Sequence, residues 1–250
     1  MSLTCEVCVE GVEGALAAEA GGAHRIELCA GLVEGGTTPS AGTLSQVLER
    51  VSIPTMVLVR PRGGDFLYTD DEMDVLLRDV EAIREAGAHG IATGVLTQDG
   101  RVDTRAMEPI MAVAGPLSVT FHRAFDMTRD PWESLEALLG LGVERVLTSG
   151  QARSVPEGLV LIRELVAAAG DRISIMPGGG IREENARNIV EQTGVSEIHF
   201  TGSTTVESAM DFRNPRPLMG SDRVPGEYER ILTDPERVRR IVGAATGATS

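Results

Sequence analysis

The sequence of 250 residues contains no lysine, so all 23 of its basic residues are arginine. Without a lysine amine the chain cannot form a Schiff base with a carbonyl substrate or with pyridoxal phosphate. It also cannot supply the lysine of a phosphate-binding P-loop. This single absence excludes several classes of enzyme.

Cysteines and long apolar runs are also scarce. Three cysteines, an odd number for a chain of this length, are typical of reduced thiols and not of a disulfide scaffold. No apolar run approaches the roughly 20 residues that a membrane-spanning helix needs. The N-terminus carries Glu6, Glu10 and Glu13 and lacks the basic region of a signal peptide. The sequence therefore predicts a cytoplasmic protein without membrane association.

Positive charge is in deficit as well. The 23 arginines are outnumbered by 37 acidic residues, which gives a net charge of -14. This charge repels nucleic acid phosphates, so a nucleic-acid-binding role is not expected. Hydrophobic residues make up 42% of the chain, enough to bury one substantial core, which excludes a disordered protein.

Short β-branched runs alternate with segments of helical periodicity along the chain. Eight βα units in about 250 residues fit a (β/α)8 TIM barrel better than a doubly wound sheet, which usually has fewer strands at this length. We therefore predict one TIM-barrel domain over residues 1–250. The predicted strands are Cys5–Val9, Arg25–Cys29, Thr55–Arg60, Gly90–Val95, Ser118–Arg123, Arg145–Ser149, Arg172–Met176 and Glu197–Thr201. The predicted helices include Val12–Glu19, Asp71–Glu85, Pro131–Leu139, Pro156–Ala168, Glu183–Gln192 and one that begins near Asp234.

The segment Ser203–Arg230 interrupts this alternation, because it is rich in proline and glycine and has no sustained period. It follows the last predicted strand. We predict an irregular segment that lies over the C-terminal mouth of the barrel or in a subunit contact. A functional lid and a plain surface excursion remain alternatives.

Side chains two apart on a strand share a face, and in a barrel one face points to the interior. This parity predicts that Glu6, Cys8, Glu27 and Cys29 point inward, because their neighbours Val7, Val9, Ile26 and Leu28 are apolar. His122 is predicted to share a face with Thr120, and His199 with Glu197 and Thr201. Polar residues inside a barrel indicate either a functional site or a buried salt-bridge network.

The cysteines pair differently from what their spacing suggests. Cys5 and Cys8 form a CxxC sequence, but positions three apart on a strand face opposite sides. Cys8 and Cys29 are predicted at equivalent positions on neighbouring parallel strands, roughly 5 Å apart, although the alignment could differ by one level. Two thiolates suit a linear soft cation such as Cu(I). The alternative is that both are small core residues.

Glycines and arginines predict an anion site at the mouth. The run Met176–Ile181, which contains Gly178, Gly179 and Gly180, follows the seventh predicted strand, where barrels often bind phosphate through backbone N–H groups. Arginines at other predicted strand ends, Arg60, Arg62 and Arg123, would add charge. The candidate catalytic residues are Glu27, His122, Arg60 and Asp65, with Glu27 and His122 for acid–base work.

Several long motifs closely resemble the CutC copper homeostasis family, and the resemblance covers nearly the whole chain. The motifs are Glu27–Cys29, Glu34–Ser40, Arg60–Tyr68, Thr120–Met127, Leu147–Gly150 and the Pro-Gly-Gly-Gly run. The resemblance implies a TIM barrel, a cytoplasmic location, a homo-oligomer (dimer or tetramer) and a role in copper homeostasis. The family's proposed Cu(I) thiols match Cys8 and Cys29.

The chain also departs from the family pattern. After His199 the family usually has Ser-Ala-Arg, whereas this chain has Phe200 and Thr201, and Arg213 is the nearest arginine that could substitute. His24 and His89 stand where the family usually has aspartate, and we interpret both as structural residues at the opposite end of the barrel. Two hypotheses follow: a Cu(I)-binding protein, or an enzyme that acts on a small anionic substrate, with phosphorylated compounds among the candidates.

Overall fold

The computed structural model describes residues 3–217 and 225–247, and eight of its strands form a parallel barrel. Neighbouring strands pair in the order β7-β6-β5-β4-β3-β2-β1-β8. A bridge between Gly178 and His199 joins the two ends of this sheet. The predicted TIM barrel is confirmed. The barrel strands are β1 (Thr4–Glu10), β2 (Arg25–Cys29), β3 (Thr55–Leu58), β4 (Gly90–Thr93), β5 (Ser118–Phe121), β6 (Arg145–Thr148), β7 (Ser174–Pro177) and β8 (Glu197–Phe200).

Helices cover the outside of the barrel. Outward strand residues such as Val7, Ile26 and Leu28 are fully buried against them, and they form part of one continuous apolar layer. This layer is the main core, and burial of apolar surface is its principal stabilisation. The helices are α1 (Gly11–Ala20), α2 (Ala41–Leu48), α3 (Asp70–Glu85), α4 (Thr104–Ala114), α5 (Pro131–Leu141), α6 (Val155–Ala169), α7 (Ala186–Thr193) and α8 (Pro235–Thr246).

Side-chain caps fix where several of these helices begin. Thr69 and Glu72 form a reciprocal capping box at the start of α3. Ser40 accepts from the Thr43 N–H before α2, and Asp103 accepts from the Ala106 N–H before α4. The capping residues Ser40 and Asp103 are signals in the sequence for α2 and α4, which are not among the predicted helices.

The segment after β8 contains more structure than its sequence predicts. Strand β9 (Ser203–Glu207) pairs antiparallel with β10 (Glu229–Thr233), and the two form a ribbon beside β1 and α1. The prediction of an irregular segment over Ser203–Arg230 is therefore wrong at both ends. Alternating threonines and valine suit a two-stranded ribbon, but the pairing is non-local, across more than twenty residues of proline- and glycine-rich chain.

Two histidines lie at the N-terminal ends of the strands, opposite the mouth. His24 Nδ1 accepts the Cys5 N–H at 2.9 Å, and His89 Nδ1 accepts the Thr55 N–H at 3.2 Å. Each ring therefore satisfies a backbone donor at the start of a neighbouring strand. This placement agrees with the structural interpretation of both residues.

Candidate functional site

A cavity of about 460 Å³ opens at the C-terminal ends of the barrel strands. This volume lies within the range of small-molecule sites. The wall contains residues from both halves of the barrel, including Cys8 and Glu27 on β1 and β2, His122 after β5, and His199 on β8. In a TIM barrel this end is where the loops assemble a functional site.

Below the cavity lies a network of buried ion pairs that we call the ion-pair cluster, composed of Glu6, Arg25, Arg145, Glu197 and His199. Arg25 donates to both Glu6 and Glu197. Arg145 Nε donates to Glu197 at 2.7 Å, and His199 Nδ1 lies 2.8 Å from Glu6 Oε1. These residues occupy inward positions on β1, β2, β6 and β8, so parity brings them together. The buried salt-bridge network that the sequence left as an alternative is therefore present in the lower barrel.

The cluster changes the pKa values of its members. Burial disfavours the charged form of Glu6, but hydrogen bonds and charges from His199 and Arg25 outweigh it and lower the pKa to about 2. Burial also acts against protonation of His199, yet the charges of Glu27 and Glu6 and the hydrogen bond to Glu6 raise its pKa. Glu6 is therefore a carboxylate at neutral pH, and it holds His199 with Nε2 toward Glu27, 3.8 Å away.

Glu27 links the ion-pair cluster to the cavity. Its side chain is 5% exposed, and Oε1 has no hydrogen-bond partner among residues 3–217 and 225–247. Burial raises the pKa of Glu27, assisted by the charge of Glu6 and opposed by that of His199. A buried carboxyl with an unused acceptor at a cavity wall is suited to accept a ligand hydroxyl or a proton.

The Cys8 and Cys29 thiols are in contact, with 3.4 Å between their Sγ atoms. The predicted alignment is wrong by one level, because Cys8 pairs with Glu27 and Cys29 pairs with Glu10. The Cys8 and Cys29 side chains nevertheless meet, because both point inward and bridge the difference in level. The hydrogen bond with Cys29 and burial raise the pKa of Cys8 well above its ordinary value, so its thiol is protonated in the free protein. Cys5 lies apart from this pair in the outer apolar layer, where burial raises its pKa to about 12.

Cys8 also belongs to a group of three metal-ligating side chains. One ligand atom each from Cys8, Glu27 and His199 lies within 4.8 Å of the others. Sulfur, carboxylate and imidazole donors together could hold a transition metal. The sequence predicts the face that His199 shares with Glu197 and Thr201 but not its place in the site, because its approach to Cys8 depends on closure of β8 onto β1.

His122 and Arg60 form the opposite wall of the cavity. His122 Nδ1 accepts the Ala124 N–H at 3.2 Å, so the proton of the neutral ring lies on Nε2, and this buried donor has no partner among the described residues. Burial, followed by the charge of Arg60, lowers the pKa of His122 to about 3. The structure therefore presents a neutral imidazole N–H to the cavity.

Arg60 is buried, and backbone carbonyl groups accept most of the hydrogen bonds that its guanidinium donates. Its guanidinium donates to the carbonyls of Glu34, Gly36 and Gly64 at 2.7–3.0 Å and lies over the Phe66 ring. Only Nε remains unpartnered in the described chain. Arg60 thus ties the loops after β2 and β3 together and offers one donor to the cavity.

The loop after β7 brings Gly179 and Gly180 to the cavity wall, and both adopt positive φ angles, +113° and +81°. Arg123 lies beside them: a Cβ on Gly179 would be 3.4 Å from Arg123 Nη1. Arg123 is positioned by Asp126 at 2.8 Å and by the Ser149 hydroxyl at 2.8 Å. The Gly178 N–H instead donates to the Thr148 carbonyl, so it continues the pairing of the barrel strands.

Three other sequence candidates lie outside this wall. Arg62 pairs with Glu72 at 2.6 Å and with Asp65 at 3.0 Å, and the Asp65 side chain is 73% exposed. Arg213 lies in the irregular stretch after β9, 3.3 Å from Glu207. Conversely, the wall contains Arg182 and Arg237, which are not among the predicted site residues. The position of Arg182, two residues after Gly180, is a signal for it in the sequence.

In the described ranges, no helix is both long enough and apolar enough to cross a membrane.

Comparison with known proteins places the chain in one family. The model of the CutC family matches residues 3–204. A family protein CutC from Mesorhizobium japonicum is 50% identical over 240 residues, which cover 96% of this chain and 93% of that protein. The human "Copper homeostasis protein cutC homolog" is 50% identical over 236 residues, 94% of this chain and 86% of its own length.

Solved structures agree with this placement. The crystal structure of CutC from Streptococcus agalactiae is 34% identical, has a TM-score of 0.76, and covers 80% of this chain and 98% of that one. Phosphoribosylanthranilate isomerase from Thermotoga maritima, at 11% identity and a TM-score of 0.58, covers 98% of this chain and 99% of that one and shares the fold alone. On these matches, the chain belongs to the CutC family.

Proposed function

We propose that this chain binds one Cu(I) ion between the thiolates of Cys8 and Cys29 and serves in copper homeostasis. The observation that carries the proposal is the 3.4 Å contact between the two Sγ atoms. Soft thiolate ligands favour Cu(I) over harder cations. Relatives from human and mouse are named copper homeostasis proteins, which supports the same role here.

The ion would enter from the cavity. Cys8 lines the cavity wall, whereas Cys29 lies behind it with 1% exposure. Glu27 and His199 stand within 4.8 Å of Cys8 and offer further donors. Because the thiol of Cys8 is protonated in the free protein, binding of Cu(I) releases protons.

The proposal includes a cytoplasmic location and a homo-oligomer, either a dimer or a tetramer. Three free thiols are consistent with a reducing compartment. Light scattering after size-exclusion chromatography gives the oligomeric state, and a monomer would contradict this part.

The test is an anaerobic Cu(I) competition titration against a chromogenic chelator. We expect one Cu(I) per chain. Cys8→Ala and Cys29→Ala should each weaken binding more than about 100-fold, since loss of an outer-shell partner alone costs 10–100-fold. Cys5→Ala is the matched control, because it removes the third cysteine and leaves the pair intact. Unchanged affinity in both pair variants contradicts the proposal.

A second candidate function is an enzyme that acts on a small anionic substrate. The supporting observation is that Glu27 Oε1 and His122 Nε2, both buried at the cavity wall, have no partner among the described residues. In this function Glu27 removes a proton next to a carbonyl, and the neutral His122 N–H donates to the carbonyl oxygen. The raised pKa of Glu27 makes it the stronger base.

Proton exchange tests the enzyme function without knowledge of the full reaction. A panel of small phosphorylated aldehydes and ketones is incubated with the protein in D2O and followed by NMR. We expect one carbon-bound hydrogen to exchange, and Glu27→Gln to abolish the exchange. Arg62→Gln, outside the cavity wall, is the control. No exchange with any member, or exchange that survives Glu27→Gln, contradicts this function.

A further inference from the structure

The loop after β7 presents three consecutive backbone N–H groups, those of Gly179, Gly180 and Ile181. None of them donates to any acceptor in residues 3–217 or 225–247. All three residues line the cavity. Gly179 and Gly180 lie in a bend with positive φ angles, and free successive N–H groups in a tight turn of the backbone are suited to bind an anion. We propose that this loop, with Arg123 and Arg182, binds the phosphate group of a small phosphomonoester.

Two arginines supply the charge for this phosphate subsite. Arg123 is fixed through Nε and Nη2 by Asp126 and Ser149, while Nη1 has no partner among the described residues and lies next to Gly179. The Arg182 side chain is at the cavity wall, and no hydrogen bond or ion pair engages it within the described chain. Free guanidinium donors are well suited to phosphate oxygens.

The charge of the cavity wall is opposite to that of the molecule. The chain carries a net charge of -14, yet four arginines and a single carboxylate, Glu27, line the cavity. Two of these arginines have acidic partners, Arg123 with Asp126 at 2.8 Å and Arg237 with Glu183 at 3.7 Å. Arg60 and Arg182 have no acidic partner among the described residues. A wall of this sign attracts an anion from solution.

Polar atoms away from the loop indicate what the phosphate is attached to. Glu27 Oε1, His122 Nε2 and Arg60 Nε are buried, unpartnered among the described residues, and belong to side chains of the cavity wall. One acceptor and two donors match the hydroxyl and carbonyl groups of a short sugar or polyol. The ligand class is therefore a phosphorylated sugar or polyol. This inference deepens the enzyme function proposed above by naming its substrate class, and it does not depend on Cys8 or Cys29.

The experiment uses two probes, inorganic phosphate and ribose 5-phosphate, on the full, copper-free, reduced chain labelled with ¹⁵N. The amide signals of Gly179, Gly180 and Ile181 are followed at constant ionic strength, with chloride as the reference anion. We expect saturable shifts at these amides with a Kd of about 1 mM or tighter for phosphate. Shifts that do not saturate, or that are absent from this loop, overturn the proposal.

Two variants distinguish a specific phosphate site from non-specific electrostatic attraction by the net charge. Arg182→Gln should weaken binding of both probes about tenfold, since a charge-assisted hydrogen bond is lost. Arg62→Gln is the matched control at the same end of the barrel, and it should leave both affinities unchanged. Equal weakening by the two substitutions would mean that only net charge matters, which contradicts the phosphate subsite.

The second probe tests the ligand class. Ribose 5-phosphate should bind at least about tenfold more tightly than phosphate, because its hydroxyls engage the unpartnered groups. His122→Gln should weaken ribose 5-phosphate and leave phosphate unchanged. Equal affinity of the two probes overturns the sugar assignment. Because no turnover is measured, loss of the phosphate subsite is distinguishable from loss of the enzyme function, which the deuterium exchange reports.

Discussion

Two groups of buried polar side chains occupy the same barrel, and they differ in how fully their hydrogen-bonding atoms are used. In the ion-pair cluster, Arg25 serves two carboxylates, and Arg145 donates to Glu197 and to the hydroxyls of Ser118 and Thr120. At the cavity wall, Glu27, His122 and Arg60 each keep one buried atom without a partner among the described residues.

This difference distinguishes groups that support the fold from groups available to a ligand. A buried polar atom left unpaired costs about 1–3 kcal/mol, so three of them at one wall are expensive for the fold. Functional sites are where such costs are usually retained. We therefore assign the lower cluster to stability and the wall to binding, and each prediction below tests one side of this assignment.

The largest effect is expected from Arg25→Met. This change leaves Glu6 and Glu197 buried without the arginine that bridges them, and removal of one partner of a buried ion pair costs about 3–5 kcal/mol. Urea denaturation measures the loss in the free energy of unfolding. Arg187→Met, which breaks the exposed pair with Glu191, should cost far less, because solvent screens an exposed ion pair. Similar losses in the two variants would contradict the assignment.

Acid is expected to lower the free energy of unfolding by a smaller amount. Because the folded pKa of Glu6 is about 2 and its ordinary value is 4.5, the unfolded chain binds more protons between these values. Stability contributed by this carboxylate is complete above about pH 4.5 and is lost as the pH falls toward 2. We expect a loss on the order of 1–3 kcal/mol.

The slope of stability against pH checks this effect. Urea denaturation of the parent across this window should show a positive slope. In Arg25→Met the slope should be smaller, because one of the groups that lower the pKa of Glu6 is gone. A slope that does not change on this substitution would show that acid acts elsewhere in the molecule.

Glu27→Gln is expected to change stability by no more than about 1 kcal/mol. The substitution removes a charge that burial disfavours and also an attraction to His199, and these two effects oppose each other. Thermal unfolding compares it with Arg25→Met at the same pH. If Glu27→Gln lowered the free energy of unfolding as much as Arg25→Met does, Glu27 would belong with the ion-pair cluster that supports the fold.

The sequence predicts the barrel well because periodicity is local. Alternation of residues such as Val7 and Cys8 decides which side chains point inward, and the contacts of Glu6, Arg25 and Cys8 follow from that rule. The level of Cys29 relative to Cys8 does not follow, because strand register in a barrel depends on the shear of the whole sheet.

Side-chain direction at the strand ends is the other limit. Arg62 and Arg123 both follow strands and look alike in the sequence, yet Glu72 of the α3 cap draws Arg62 away, while Ser149 and Asp126 hold Arg123 beside Gly179. These partners come from distant or following segments. His199 was missed for a related reason, since its importance depends on closure of β8 onto β1.

The smallest effect, and the finest test of the comparison, is the protonation of the two buried histidines at the site. Burial and then the charge of Arg60 lower the pKa of His122 to about 3, whereas the charge of Glu27 and the hydrogen bond to Glu6 overcome burial and raise that of His199. Imidazole ¹⁵N shifts, recorded from about pH 8 to about pH 5, resolve both rings.

Of these two rings, His199 should be the one that is protonated at the acid end of this range, because its pKa is raised above the ordinary 6.5. His122 should stay neutral with its proton on Nε2, as its bond from the Ala124 N–H requires. His122→Gln is the assignment control. A His122 pKa near 6.5 would mean that the ring is hydrated and that its Nε2–H already donates to water. The contrast between the fully hydrogen-bonded ion-pair cluster and the partly unpaired cavity wall would then fail at His122.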